Sequence, residues 1–256
     1  MDSYAPGTPS WVDLASPDLD RSAAFYGELL GWEVIEPGPV EETGGYRMAF
    51  VRERPVAGMG PIMAEGQPPV WTTYVSVADA EGTAAVVQQA GGGVLMPPMD
   101  VLDQGRMAVF TDPSGAAFAV WQPRAHAGAG LVNEPGSLVW NELATRGPDA
   151  AIEFYGRVFG WRPDTEEVGG VPYTQWRLGE STVGGMMPMD STWPDDVPDH
   201  WLVYFAVGDA DAAVALTERL GGRVLVPAHD IPPGRFAVLQ DPLGTMFAVL
   251  RLADVG

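Results

Sequence analysis

The sequence predicts an α+β fold built from four βαβββ modules. The first supporting observation is a duplication, since Trp11 recurs as Trp140 and Phe25-Tyr26 as Phe154-Tyr155, each 129 residues later. The second is that each half restarts a strand–helix–strand pattern near its midpoint. A period this long indicates duplicated domains, not a stack of short repeats. The predicted domains are residues 1–125 and 137–256, joined by a linker at 126–136.

In the first half, local signals delimit each element. Alternation predicts a strand at Trp11–Ala15, and Asp18 is a suitable N-cap for a helix over Leu19–Leu30 that Gly31 ends. Short strands separated by Pro and Gly are predicted at Trp32–Ile35, Tyr46–Val51 and Val56–Pro61. The second module is predicted as a strand at Trp71–Val77, a helix at Ala80–Gln89, and strands at Val94–Met96, Met107–Thr111 and Ala116–Gln122.

Composition narrows the range of partners and chemistries. A net charge of −20 disfavours nucleic acid and anionic membrane surfaces as partners. The absence of Cys excludes disulfides, thiolate metal sites and Cys nucleophiles. No signal peptide and no apolar run of about 20 residues is visible, so a soluble cytoplasmic protein, monomeric or homodimeric, is expected.

Three segments carry a family resemblance: SPDLDRSAAFYGELLGW, VSVADAEG and DPSGAAFAVWQP. Together they resemble the vicinal oxygen chelate (VOC) superfamily, which includes glyoxalase I, bleomycin-resistance proteins and extradiol dioxygenases. The WVDL and WNEL openings are similar to a tandem subfamily labelled glyoxalase-like or "hydroxylase". The resemblance implies two VOC-type half-barrel domains, each formed by paired modules around a concave site.

The resemblance also implies where metal ligands would lie, and this chain lacks them there. Donors are expected on the first, fourth, fifth and eighth strands of each half. The corresponding residues are Trp11, about Gly58, Thr72 and Ala119 in the first half, and Trp140, about Gly185, Leu202 and Ala248 in the second. Because these side chains are poor ligands for divalent ions, we predict no metal site.

The concave sites are predicted instead to bind a planar organic ligand. Small Ala side chains beside Trp leave slots in which an aromatic ring could stack. The predicted substrate-binding residues are Trp11, Trp140, Trp71, Trp201, Trp121, Tyr46, Gln175, Arg235, Ala119 and Ala248. The alternative interpretation is that these aromatic residues only fill a core.

Four residues are candidates for proton transfer. Asp13 and Glu142 follow Trp on the first strand of each half, and a carboxylate in an apolar site suits acid–base work. His229, in a predicted loop beside Asp230, and Tyr173 could assist Glu142. The alternatives are that the acids pair with Arg106 or Arg235, and that His229 is a surface residue.

The favoured hypothesis is a metal-independent tailoring enzyme that acts on an aromatic or polycyclic, polyketide-like molecule. Dehydration, cyclisation or isomerisation would need no tightly bound cofactor, and a hydroxylation could use diffusible NAD(P)H or reduced flavin with O2. Two alternatives stay open: a non-catalytic protein that sequesters an antibiotic or toxic metabolite, and a metal-dependent glyoxalase-like lyase.

Overall fold

The computed structural model describes residues 3–64 and 66–253. Four successive modules each run strand, helix, then three strands. Module 1 contains β1 (Pro9–Ser16), α1 (Leu19–Leu30), β2 (Glu33–Ile35), the short helix α2 (Val40–Thr43), β3 (Arg47–Val51) and β4 (Arg54–Pro61). Module 2 contains β5 (Val70–Ser76), α3 (Ala80–Gln89), β6 (Gly93–Val101), β7 (Gly105–Thr111) and β8 (Ala117–Pro123).

The second half repeats this order. Module 3 contains β9 (Leu138–Thr145), α4 (Pro148–Phe159), β10 (Arg162–Val168), β11 (Val171–Leu178) and β12 (Ser181–Pro188). Module 4 contains β13 (His200–Ala206), α5 (Ala210–Arg219), β14 (Arg223–Ile231), β15 (Gly234–Gln240) and β16 (Met246–Leu252).

The strands of the described residues form two eight-stranded mixed sheets. Their orders are β2-β3-β4-β1-β5-β8-β7-β6 and β10-β11-β12-β9-β13-β16-β15-β14. Within each module the first strand runs parallel to the fourth, and the last three strands form antiparallel hairpins. The predicted α+β fold of four βαβββ modules is therefore confirmed.

Helix α1 begins and ends where its local sequence predicts. The Asp18 carboxylate accepts a hydrogen bond from the Arg21 backbone N–H at 3.0 Å, which satisfies one of the free N–H groups of the first turn. Gly31 ends the helix at φ +71°, a left-handed conformation that glycine adopts without steric cost. Among residues 3–64 and 66–253, no helix combines the length and apolar character needed to cross a membrane.

The modules pack in pairs that differ from the order of the repeats. One packing unit contains most of modules 2 and 3, as Thr73–Gly128 and Trp140–Leu202, and so includes the start of β13 with Trp201. The other contains most of modules 1 and 4, as Trp11–Thr72 and the chain from Val203 onward, and so includes the start of β5 with Trp71. Helix α3 contacts α4 in the first unit, and α1 contacts α5 in the second. The sequence had left the pairing of modules open. The boundaries predicted for the two domains stay a prediction.

In the unit of modules 2 and 3, the sequence motifs FYG and DPxG meet in the core. The Tyr155 hydroxyl of α4 donates to Asp112 Oδ2 at 3.1 Å and accepts from Trp201 Nε1 at 2.8 Å. Burial raises the pKa of Tyr155 well above its usual value, and burial also raises the pKa of Asp112. The two motifs therefore bind the helix of one module to the turn of another.

The unit of modules 1 and 4 repeats this contact. Tyr26 of α1 donates to Asp241 Oδ2 at 3.1 Å and accepts from Trp71 Nε1 at 3.0 Å. Trp71 also packs edge-on against Trp32 and Phe205 in the same core. Both copies of the FYG and DPxG signatures thus have a structural role in joining modules.

Candidate functional site

The first strand of each half presents an indole and a carboxylate on one face. On β9, Leu143 enters the core, so the alternate residues Trp140 and Glu142 lie on the opposite face of the sheet. On β1, Val12 and Leu14 enter the other core, which puts Trp11 and Asp13 on the corresponding face. These faces carry the candidate site of each half.

In the second half, Trp140, Tyr173 and Glu142 form a chain of hydrogen bonds that we call the second-half triad. Trp140 Nε1 donates to the Tyr173 hydroxyl at 2.9 Å, and that hydroxyl donates to Glu142 Oε2 at 2.8 Å. Glu142 is a buried acidic side chain, so a donor aimed at its carboxylate offsets part of the cost of removing that charge from water. The triad therefore fixes one carboxylate oxygen in place.

The first half contains a looser version, the first-half triad of Trp11, Tyr46 and Asp13. Trp11 Nε1 donates to the Tyr46 hydroxyl at 3.0 Å, but Tyr46 lies 3.5 Å from Asp13 Oδ2. The side chain of Asp is one methylene shorter than that of Glu, which accounts for the longer contact. A hydrogen bond at this length is weak.

Each triad needs a glycine beneath its tyrosine. Gly185 on β12 is the parallel partner of Glu142, and a Cβ built there would lie 2.0 Å from the Tyr173 hydroxyl and 2.9 Å from Trp140 Nε1. Gly58 is the partner of Asp13 in the first half, and a Cβ there would lie 1.7 Å from the Tyr46 hydroxyl. The glycines leave the space in which Trp and Tyr meet.

The tyrosines of the triads are held in their neutral form. Burial and the adjacent Glu142 charge raise the pKa of Tyr173 far above its usual value, and the hydrogen bond from Trp140 opposes this only in part. Burial and the Asp13 charge raise the pKa of Tyr46 in the same way. Each hydroxyl therefore stays a donor to its carboxylate near neutral pH.

This protonation state gives a testable expectation. Because a raised pKa keeps Tyr173 protonated through the usual range of tyrosine ionisation, Tyr173→Phe should leave the ultraviolet tyrosinate titration of the folded protein unchanged up to pH about 11. In the unfolded protein the variant should titrate one tyrosine fewer. A loss of titrating signal in the folded variant would show that Tyr173 ionises normally and is not the neutral donor of the triad.

The residues at the implied metal positions do not fit a divalent ion. The indole N–H groups of Trp11 and Trp140 are donors without a free lone pair, and each is directed at a tyrosine hydroxyl. Glycine and alanine occupy the fourth-strand and eighth-strand positions. In the described part of the chain, no group of three or more His, Asp or Glu side chains is arranged to hold a metal.

Trp71 and Trp201 lie in the cores, and this corrects their predicted placement at a concave site. Both indoles are buried, and each donates to the core tyrosine of its packing unit. The cause is strand alternation: Trp71 shares the face of Val75, a core residue, whereas Thr72 and Tyr74 point the other way. Trp71 and Trp201 are therefore core residues and do not line a substrate site.

By the same alternation, two tyrosines that were not among the predicted site residues lie beside the alanines of the last strands. Tyr74 on β5 is the parallel partner of Ala119 on β8, and Tyr204 on β13 is the partner of Ala248 on β16. Each lies two residues beyond a position singled out in the sequence, Thr72 and Leu202, and could have been found by counting along the strand. Trp121 follows Ala119 on the same face of β8, and its Nε1 donates to the His126 carbonyl at 2.8 Å.

His229 does not lie in a loop, contrary to the prediction. It is part of strand β14, opposite Phe236, because bulges in the β14–β15 pairing continue the ladder past Pro227. Its Nδ1 lies 2.9 Å from the Pro227 carbonyl, and its ring is exposed and packs on Phe236. Module 4 carries His229, whereas Glu142 belongs to module 3 and the other packing unit.

The arginine predicted to bind substrate, Arg235, is engaged elsewhere. Its guanidinium donates to Asp211 at the start of α5 and to Asp230. Because Asp211 and Asp230 accept these hydrogen bonds, they raise the pKa of Arg235. Arg106 pairs likewise with Glu81 and Asp100.

The comparison with known families agrees with the fold. The family described as Glyoxalase/Bleomycin resistance protein/Dioxygenase superfamily matches residues 8–120 and 137–249. The chain therefore belongs to this superfamily, which confirms the resemblance read from its motifs.

Particular relatives cover nearly the whole chain. It is 45% identical over 258 residues to the putative glyoxylase CFP32 of Mycobacterium tuberculosis, covering 98% of this chain and 97% of that protein. It is 41% identical over 271 residues to the anthracycline biosynthesis protein DnrV of Streptomyces peucetius, covering 99% and 96%.

Solved structures show a likeness of fold alone. The Mn(II)-bound glyoxalase of Novosphingobium aromaticivorans has a TM-score of 0.65 at 17% identity, covering 97% of this chain and 84% of that chain. The 2,3-dioxygenase LapB of Pseudomonas sp. KL28 has a TM-score of 0.66 at 14% identity, covering 98% and 93%.

Proposed function

We propose that this protein is a metal-independent tailoring enzyme that transfers protons on an aromatic or polycyclic, polyketide-like small molecule. The observation that carries the proposal is the second-half triad, in which Tyr173 donates to Glu142 at 2.8 Å. The relatives named for anthracycline biosynthesis support a polycyclic polyketide as the class of substrate. Dehydration, cyclisation and isomerisation all begin with such a proton transfer.

Glu142 is the group that moves the proton. Its carboxylate removes a proton from the carbon next to a carbonyl group, and the electron pair of the C–H bond moves onto the carbonyl oxygen. The carboxylic acid then returns the proton to the same carbon, to another carbon in an isomerisation, or to a leaving hydroxyl in a dehydration. In each case the carboxylate is regenerated.

Tyr173 and Trp140 position that carboxylate. The Tyr173 hydroxyl donates to one oxygen of Glu142, and Trp140 Nε1 donates to the tyrosine oxygen in turn. Because the pKa of Tyr173 is raised, the tyrosine does not compete as a base. Glu142 is therefore the residue that transfers the proton.

A bicyclic aromatic ketone tests the proposal. We expect the protein to accelerate exchange of the α-protons of 1-tetralone with deuterium oxide, followed by nuclear magnetic resonance, because Glu142 takes and returns the proton. Prior dialysis against EDTA should leave the exchange rate unchanged, since the side chains at the implied metal positions are poor ligands for a divalent ion.

The outcomes of this experiment separate the hypotheses. Loss of exchange after chelation, restored by one divalent ion, would favour a metal-dependent lyase. Binding of 1-tetralone without accelerated exchange would favour a sequestering protein, which needs aromatic surfaces but no proton carrier. Either result would contradict the proposed enzyme.

A further inference from the structure

We propose that Gln175 recognises the substrate by donating its side-chain amide N–H to the carbonyl oxygen next to the carbon that Glu142 deprotonates. Combined with the aromatic substrate of the proposed function, this makes ketones fused to an aromatic ring system the class of substrate. The inference rests on the proposed function and deepens it, since it concerns the same site.

Gln175 lies in register with Glu142 across one glycine. On β11, Gln175 is the Cα partner of Gly185, and on the other side of β12 Gly185 is the partner of Glu142. Residues in register on neighbouring strands point to the same face. The neighbour Trp176 enters the core, which confirms that Gln175 points away from it, toward the face of Glu142.

The Tyr173 hydroxyl and the Trp140 indole fill the space above the glycine that separates Gln175 from Glu142. Neighbouring strands lie about 4.8 Å apart, so the backbones that carry Gln175 and Glu142 are separated by about 10 Å. Because Gly185 has no side chain, the Tyr173 hydroxyl and Trp140 Nε1 are the nearest atoms above it. Gln175 and Glu142 thus lie on either side of the Tyr173 hydroxyl and the Trp140 indole.

The side-chain amide of Gln175 does not contribute a hydrogen bond to the fold. It is partly buried, and in the described part of the chain it makes no side-chain hydrogen bond to protein, whereas Tyr173, two residues earlier, is fully engaged. A substrate oxygen could therefore accept a hydrogen bond from this amide without breaking a hydrogen bond of the fold.

The first half is an internal control for this argument. Met48 occupies the equivalent place, in register with Gly58, which pairs in turn with Asp13. The same strands and the same glycine therefore form without an amide. The polar group at position 175 is thus a property of the second site and not a requirement of the sheet.

The chemistry of an amide donor complements that of Glu142. When Glu142 removes the α-proton, negative charge develops on the carbonyl oxygen, and an N–H placed there stabilises the enolate more than the ketone. The same hydrogen bond selects a ketone over a hydrocarbon of equal shape. Gln175 therefore affects both binding preference and rate.

The test uses Gln175→Met, which copies the first half, and Gln175→Glu, which removes the donor at nearly constant shape. We expect each variant to slow deuterium exchange of bound 1-tetralone by about 100-fold. The wild type should bind 1-tetralone about three- to tenfold more tightly than tetralin, the hydrocarbon without the oxygen, and Gln175→Met should abolish this preference by weakening only the ketone. Affinity is measured by quenching of tryptophan fluorescence.

A matched surface change, Gln88→Met on the exposed side of α3, should leave exchange and both affinities unchanged. If Gln175→Met retains the preference for 1-tetralone over tetralin, the assignment of Gln175 is wrong. If the wild type fails to accelerate exchange, the proposed function fails, and the binding preference still decides the role of Gln175. Retention of the wild-type melting temperature, with tetralin affinity kept, separates these effects from misfolding.

Discussion

Glu142→Gln should slow the exchange of 1-tetralone α-protons by about 10²- to 10⁴-fold while changing its affinity only a few-fold. The amide has the shape of the acid and still accepts a hydrogen bond from Tyr173, which lies 2.8 Å from the wild-type carboxylate. It cannot take up a proton at neutral pH. The loss should therefore fall on kcat rather than on KM.

Two further variants make this result specific. Glu153→Gln changes an exposed acid on α4 that pairs with Arg157, and should leave exchange unchanged. Asp13→Asn decides between the halves: with Tyr46 3.5 Å from Asp13, we expect a smaller loss than for Glu142→Gln. A larger loss for Asp13→Asn would place the chemistry in the first half.

The local parts of the fold could be predicted from the sequence because their causes are local. The bounds of α1 (Leu19–Leu30) and α3 (Ala80–Gln89) follow from caps within a few residues of each end. Four modules could be predicted because the two halves of the sequence can be compared with each other, and the same strand–helix–strand pattern restarts within each half. Alternation along β1 and β9 explains why Trp11 shares a face with Asp13, and Trp140 with Glu142.

The contacts that build the site could not be predicted in this way. Trp140 and Tyr173 are 33 residues apart, and their meeting depends on the register of β9, β11 and β12, which no local pattern specifies. Gly185 was considered only as a replaced ligand, whereas the structure shows that its missing side chain admits two aromatic groups. The chain position of His229 suggested a loop, and pairing with Phe236 overrode that signal.

The pairing of modules from different halves could not be predicted from the sequence either. The Tyr of the FYG motif and the Asp of the DPxG motif both recur in each half, so either could have paired within its own half. Tyr155 instead binds Asp112, and Tyr26 binds Asp241, each across halves. A repeated sequence cannot distinguish a contact from its counterpart in the other copy, and only the fold resolves it.

Gly185→Ala should lower the free energy of unfolding by about 2–4 kcal/mol and abolish exchange, because the new methyl group would lie 2.0 Å from the Tyr173 hydroxyl. Tyr173 must then leave its place, which breaks its bonds to Trp140 and to Glu142 together. Denaturant unfolding measures the loss. Gly208→Ala is the matched control, since a Cβ at Gly208 meets no atom within 4 Å, and it should be neutral or slightly stabilising.

A double-mutant cycle identifies the cause of that loss. Tyr173→Ala removes the ring that collides with the new methyl group, so the double variant Gly185→Ala/Tyr173→Ala should be less destabilised than the sum of the two single changes, with a coupling of at least about 1 kcal/mol. The collision is the reason we give for glycine at this position, and it acts only while the tyrosine is present. Strictly additive losses would mean that Gly185 is needed for some other reason, and that the triad does not depend on the gap beneath it.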